Sequence, residues 1–502
     1  MVGEDEGSEH ERRVEDFRST RRVLEAGILP LATSVDGRRF SYQASLHGLE
    51  LQPGSYVVLE DGDAALLGQV VTVELARTDG PDVAPRSGAE TAGPRMRIAI
   101  RHAVGEGRLL AGPRTPFHDA TVRPASAHEV EEHVRSFPPG RAALDVGELV
   151  LAPGVPLALD AAGFGRHTFL CGQSGSGKTY ALGVVLERLL LETGLRLVVL
   201  DPNSDFVHLG ELRAETDAAV AERFADLEGE IVVRRAGDGL GLRFPELDPG
   251  LQAAALRLDP VADREEYAEL VALVSGVESL SLERLERLSA EGGEDARRLV
   301  ERARNLGVDR WSIWAGSDGH SITADLDAGR RCLVVDIGSL ETRQEQALAA
   351  ATVLGELWQR RGRREAVLIV VDEAHNVCPG RPGDPLTAIA TEHAVRIAGE
   401  GRKFGLYLLI ASQRPQKVHE NVLSQCDNLM LMRMNSLADL GFVGRLFSFV
   451  PPSLLERATD FPQGESLVAG PIAPHPALLG IGRRITAEGG GDVPADWAQP
   501  RG

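Results

Sequence analysis

Gly172-Gln-Ser-Gly-Ser-Gly-Lys178-Thr179 lies between the apolar run His167-Thr-Phe-Leu-Cys171 and a helix-patterned stretch over residues 180–191. The eight residues satisfy G-x-x-x-x-G-K-[ST], and a strand before and a helix after are the context that the motif needs. Its chemistry follows from the residue types. Glycines let successive backbone N–H groups turn inward around phosphate oxygens, and the helix N-terminus adds the favourable end of its dipole. Lys178 sets positive charge on the outer phosphates and the Thr179 hydroxyl ligates Mg²⁺. Gly172, Gln173, Ser174, Gly175, Ser176, Gly177, Lys178, Thr179 and the adjoining Tyr180 are therefore assigned to nucleotide binding, with ATP and Mg²⁺ as cofactors.

Outward from this loop, apolar runs alternate with helical stretches between residues 164 and 411, the pattern of a parallel sheet covered by helices. Strands are expected at 167–171, 195–200, 331–336, 367–371 and 405–411. The fourth ends in Asp372-Glu373-Ala-His375. Two adjacent carboxylates at a strand tip suit hydrolysis. Asp372 holds the magnesium water shell, while Glu373 orients or deprotonates a water in line with the γ-phosphate. Ala411-Ser-Gln413-Arg-Pro415 closes the fifth strand, where a Gln amide can bond both the γ-phosphate and that water. Lys178, Glu373 and Gln413 form the catalytic set. Asp201 and Asp205 follow the second strand and fall at the same carboxyl edge, where parallel sheets bind their ligands.

The rest of the chain reads as additions to this core. Period-two alternation broken by turns over residues 29–112, as in Ser55-Tyr-Val-Val-Leu-Glu60, predicts a small β-barrel. A Gly-, Pro- and Arg-rich stretch over 78–95 reads as a long hairpin loop within it. Charged, Leu-rich sequence over 249–306, with Leu280, Leu282, Leu285 and Leu288 at helical spacing, predicts an inserted helical bundle. The Gly-, Asp- and Pro-rich tail over 488–502 has little to bury and reads as disordered. Residues 1–28 form an acidic polar segment, 113–150 a linker, 151–248 and 307–435 the two parts of the core, and 436–487 a C-terminal extension.

Composition narrows the setting. The opening residues lack the cationic start and apolar block of a secretory signal, and the apolar runs fall well short of the roughly 20 residues of a membrane-spanning helix. A cytoplasmic protein without membrane attachment is expected. Cys171, Cys332, Cys378 and Cys426 form no C-x-x-C pair and read as packed, reduced thiols. A formal net charge of −20 argues against a generally basic surface, so any DNA contact must be focal. The basic run Arg360-Arg361-Gly362-Arg363-Arg364 reads as a solvated helix end in preference to a DNA contact.

An ordered set of motifs resembles the HerA branch of the HerA and FtsK superfamily of ring-shaped DNA motors, over residues 29–473. It comprises Arg166-His167, the Gly172–Thr179 loop, Asp201-Pro202, Asp372-Glu-Ala-His375, Gly399-Glu-Gly-Arg402-Lys-Phe-Gly405, Ala411-Ser-Gln-Arg-Pro415 and Leu423-Ser-Gln-Cys-Asp427. The resemblance implies an α/β fold: a RecA-like P-loop ATPase core, with an N-terminal barrel of the HAS type and a helical insertion. It further implies a hexameric ring, DNA translocation or unwinding, and a partner nuclease in DNA end processing or defence. Arg402 becomes an arginine finger acting on the neighbouring subunit's γ-phosphate, and Arg166 a second cation that reaches a nucleotide across the interface. Arg402-Lys403 also fits cations at a helix C-terminus. After the second strand the family reads Asp-Pro-His-Gly before an acid and an aromatic, whereas this chain has Asn203-Ser204-Asp205-Phe206. That departure leaves Asp201 and Asp205 as the candidates there. The competing reading is an ATP-gated scaffold that regulates a nuclease or other effector without moving DNA over distance.

Overall fold

The computed structural model describes residues 3–48, 51–83, 96–110, 115–137, 141–274, 287, 290, 293–315 and 319–490. It divides into two compact units, the first formed by Met1–Ser136, Leu149–Val155 and Pro451–Arg457. In that unit the acidic N-terminal residues make a helix, Gly3–Ala26. Its buried Glu25 accepts from the Arg101 N–H at 3.3 Å and meets His47 Nε2 at 3.2 Å.

Seven strands follow: β1 Leu31–Ser34, β2 Arg39–Ser45, β3 Tyr56–Asp61, β4 Ala64–Val70, β5 Glu74–Val83, β6 Met96–Leu109 and β7 Phe117–Pro124. Pairing runs β2-β1-β7-β3-β4-β6-β5, and β6 also pairs with β2, so all the strands but β5 join in a closed circuit of ladders. Alternation decides which side chains face inward: Phe40, Tyr42 and Ala44 of β2 are buried while their intervening neighbours are exposed. Phe40 fits because Gly68 and Gly107 face it; a Cβ there would come within 2.7 and 2.1 Å of its ring. The hairpin loop expected from residue 78 starts later. Backbone pairing of β5 with β6 continues to Val83 opposite Met96, and residues 84–95 lie outside the described residues.

The second unit carries an eleven-stranded sheet. Its strands are β8 Ala143–Leu149, β9 Pro156–Asp160, β10 His167–Cys171, β11 Arg196–Leu200, β12 Ile231–Arg234, β13 Cys332–Val335, β14 Val367–Val371, β15 Leu406–Ser412, β16 Cys426–Met432, β17 Glu465–Ala469 and β18 Ala477–Ile481. The order is β12-β13-β11-β14-β15-β10-β16-β17-β18-β8-β9. From β12 to β16 neighbours are parallel, and antiparallel strands extend the sheet beyond β16. All five expected core strands are present, each within a residue of its expected ends. The parallel strands β12 and β16 were not foreseen. Buried on both faces, β10, β11 and β14 show no alternation, as a helix-covered parallel sheet requires.

Local chemistry sets the covering helices. Lys178–Glu192 follows β10, and Arg343–Gln359 starts with a reciprocal cap between Thr342 and Glu345. Pro385–Glu400 starts with Asp384 as N-cap and proline in its first turn. His167 is fully buried and bridges elements: Nδ1 accepts from Leu408 N–H at 2.9 Å, so Nε2 donates to Ala398 O at 3.0 Å. Burial lowers its pKa to about 4, so it is a neutral structural residue. The four cysteines are buried free thiols, and burial pushes each pKa up.

Helices Pro249–Ala255, Arg264–Val274 and Glu294–Leu306 occupy the inserted region; Arg302 joins the last two through Asp263 at 3.1 Å and Glu266 at 2.8 Å. Leu280, Leu282, Leu285 and Leu288 fall outside the described residues. The arginine run after Gln359 is engaged by its own surroundings. Arg360 and Arg363 each meet Asp327 at 2.9 Å, and Arg361 lies 4.5 Å from the Trp358 ring centroid. Among the described residues no helix is long and apolar enough to cross a membrane.

Candidate nucleotide site

The loop after β10 turns on Gly175 and Gly177, whose φ values of 73° and 92° are costly for any residue with a Cβ. Gly177 caps the following helix without a side-chain bond, so no side chain competes for the N–H groups of the first turn. Gly172 has a packing reason: a Cβ there would meet Ser176 Oγ at 2.7 Å and Met432 Cβ at 2.8 Å. Neighbouring segments hold the loop's shape. Arg433 Nη2 donates to Gly175 O at 3.0 Å, Gln173 Oε1 accepts from Asn435 N–H at 3.1 Å, and Gly464 N–H donates to Ser176 O at 3.0 Å. Gln173 thus supports the loop through its side chain. Arg433 and Asn435 escaped the sequence reading because they follow β16, the unforeseen strand beside β10.

Asp372 and Glu373, the acids expected to serve hydrolysis, stand at the tip of β14. Asp372 is fully buried, and Glu373 is nearly so with a left-handed φ of 41°, a conformation costly for a non-glycine residue. Lys178 Nζ bonds Asp372 Oδ1 and lies 3.2 Å from Glu373 Oε1. Because β15 lies between β14 and β10, Gln413 emerges between the carboxylates and the loop. Its Nε2 donates to Glu373 Oε1 at 2.7 Å, and His375 Nδ1 stands 3.2 Å from Oε2. Burial alone would raise the Glu373 pKa, but His375, Lys178 and Gln413 together outweigh it and hold it down at about 2. For Lys178, burial favours the neutral amine, but the charges of Asp372 and Glu373 prevail and its pKa is raised. Lys178, Asp372, Glu373 and Gln413 thus form a mutually paired cluster. In the sequence His375 stands out only as the last residue of the Asp-Glu-Ala-His motif.

Asp201 and Asp205 divide in role. Asp201 is fully buried and accepts from the backbone N–H groups of Asn203, Asp205 and Phe206 at 3.2, 3.1 and 2.8 Å. Its carboxylate therefore shapes its own loop. Asp205 reaches the cleft beside Lys178, and burial, with the charge of Asp372, raises its pKa to about 6.

The cleft has a volume of about 610 Å³ and is lined on one side by Gln173–Gly175 and Gly177–Tyr180 of the loop, with Asp205 and Gln413. That volume lies within the roughly 300–1,000 Å³ usual for small-ligand sites. Its other side is built from Gln463, Gly464, Ile481 and Glu488–Gly490. Glu488, Gly489 and Gly490 had been grouped with the tail; they are ordered parts of the wall, and residues 491–502 lie outside the described residues.

Magnesium fits this donor set. Asp372 Oδ2 is buried without a hydrogen-bond partner, and Thr179 lines the cleft beside Lys178, the partner of Asp372 Oδ1. Among the described residues no cluster of three or more His, Cys, Asp or Glu could hold a metal on its own. One carboxylate and one hydroxyl, completed by nucleotide oxygens and water, is the usual way of binding this ion.

Arg166 and Arg402 stand elsewhere. Both are exposed, and both donate to Asp427 Oδ2, at 2.9 and 3.3 Å. They precede β10 and β15 respectively, and Asp427 is the second residue of β16, so the trio marks the amino edge of the sheet. The nucleotide loop, Glu373 and Gln413 mark the carboxyl edge. The seven residues of β15 separate the two edges, about 20 Å at roughly 3.3 Å per residue.

Comparison with known proteins agrees with this geometry. A family model for the central domain of the helicase HerA matches residues 144–312. The DNA double-strand break repair helicase HerA of Pyrococcus furiosus is 24% identical over 454 residues, covering 75% of each chain. That of Sulfurisphaera tokodaii is 36% identical over 120 residues, 24% of this chain and 23% of the relative. VirB4 of Thermoanaerobacter pseudethanolicus superposes with a TM-score of 0.48 at 17% identity, covering 68% of this chain and 97% of that one. Residues 144–312 thus resemble the central domain of the helicase HerA, and over three quarters of its length the chain is similar to a DNA double-strand break repair helicase of that name.

Proposed function

We propose that the chain is a Mg²⁺-dependent ATPase that assembles as a hexameric ring in the cytoplasm and drives DNA through its centre, working beside a partner nuclease. The observation that carries the hydrolytic part is the closed set Lys178, Asp372, Glu373 and Gln413 at the carboxyl edge. Lys178 and the loop N–H groups take the phosphates, and Thr179 and Asp372 hold the ion. Glu373 accepts a proton from, or orients, the attacking water, and Gln413 fixes its direction. Magnesium supplies charge neutralisation on the phosphates when bound.

Support for a ring comes from Arg402 and Arg166, which lie a strand's length from their own loop yet are cations of the kind that stabilise phosphoryl transfer. A neighbour's nucleotide is the partner that such a position suits. The DNA substrate is inferred from relatives described as DNA double-strand break repair helicases.

Steady-state ATP turnover with and without double-stranded DNA, beside native mass, tests the proposal. A hexamer whose turnover rises with DNA supports it. Turnover indifferent to DNA, whatever the mass, would favour an ATP-gated scaffold.

A further inference from the structure

Beyond the phosphates, the cleft is closed by the chain's own C-terminal strap, residues 483–490. The strap is anchored from the helix that opens at Lys178. Glu187, fully buried on that helix, accepts from the N–H groups of Ile485 and Thr486, each at 2.9 Å, and meets buried Arg484 Nε at 3.4 Å. The backbone N–H of Arg484 donates to Tyr180 Oη at 2.8 Å. From the other side Arg213 donates through Nε to Thr486 O at 2.9 Å and through Nη2 to Glu488 Oε1, with its guanidinium 5.9 Å from the Tyr180 ring centroid. Gly489 N–H then donates to Asp205 O at 3.1 Å. Its close approach demands glycine, since a Cβ would come within 2.0 Å of Ser204 O.

We propose that this strap is the nucleoside-binding wall of the site, with Glu488 as the acceptor for ribose hydroxyls. A nucleotide whose phosphates occupy the loop and which continues past the first helical turn must lay its sugar and base along Tyr180, Gln463, Gly464, Ile481 and Glu488–Gly490, which line the same cleft. Arg213 fixes the direction of the Glu488 carboxylate, and a carboxylate is a pure acceptor suited to vicinal hydroxyls. Glu187 and Arg484 act through the strap and are positioning residues. The inference rests on the nucleotide reading of the loop and deepens it.

Full-length protein with Mg²⁺ is titrated calorimetrically with ATP, 2′-deoxy-ATP and inorganic tripolyphosphate, which fills the phosphate end alone. Gly489→Val should weaken ATP about tenfold or more and leave tripolyphosphate within about twofold. Glu488→Ala, at a half-exposed side chain, should remove the preference for ATP over 2′-deoxy-ATP. Equal weakening of ATP and tripolyphosphate in these variants, or unchanged ATP affinity in both, overturns the proposal. A parent protein that binds neither ATP nor tripolyphosphate refutes the nucleotide site itself, and the wall with it.

Discussion

Gln413 Nε2 donates to Glu373 Oε1 over 2.7 Å, which joins the end of β15 to the end of β14 across the site. The bond aims the carboxylate that we propose receives the water's proton. Glu373→Gln should therefore keep ATP and lose turnover by roughly 10²–10⁴-fold, the range for a general base. Gln413→Ala should lower turnover less, because Lys178 and His375 still hold Glu373. Nucleotide binding and single-turnover hydrolysis separate the two effects; parental turnover in the Glu373 variant would refute that residue's role.

Lys178→Ala should abolish nucleotide binding and also destabilise the empty protein. It removes the cation that lies between two adjacent buried carboxylates, and breaking a buried ion pair in this way costs about 3–5 kcal/mol. The sign with pH is fixed by Glu373, whose folded pKa of about 2 lies below its ordinary 4.5. Its stabilisation is present above 4.5 and is lost as pH falls toward 2. The thermal midpoint of the variant should thus trail the parent most near pH 7 and approach it in acid. A deficit independent of pH would contradict the pairing.

Asp205 gives the opposite slope. Its folded pKa of about 6 exceeds the ordinary 3.8, so between these values the folded state holds more protons and stability falls as pH rises. Asp205→Asn should flatten that decline and raise the nucleotide-free midpoint at pH 7.5. If the midpoint drops at every pH, Asp205 serves the fold in its charged form.

The core was legible because its signals are local. The Gly172–Thr179 loop needs glycine at Gly175 and Gly177 for backbone angle, and β14 announces itself as an unbroken apolar run ending in two acids. What escaped depended on pairing. Nothing in Cys426–Met432 states that this run lies beside β10, so the support that Arg433 and Asn435 give to the loop was invisible. Polar, glycine-rich Glu488–Gly490 resembles a tail until buried Glu187, nearly three hundred residues earlier, is seen to anchor the segment just before it. Asp201 fell at the expected edge, but sequence position could not tell that its oxygens face its own loop.

Completion of each active site by Arg402 from a neighbouring subunit, as proposed, can be read from subunit mixing. Arg402→Ala should bind ATP nearly normally and hydrolyse it about a hundredfold to a thousandfold more slowly, the cost of losing one transition-state cation. Combining Arg402→Ala with Glu373→Gln subunits forms interfaces in which an intact Arg402 from one chain meets an intact Glu373 from the other. The account predicts that such mixed assemblies regain turnover well above either parent variant. No gain, with native mass proving subunit exchange, would contradict it.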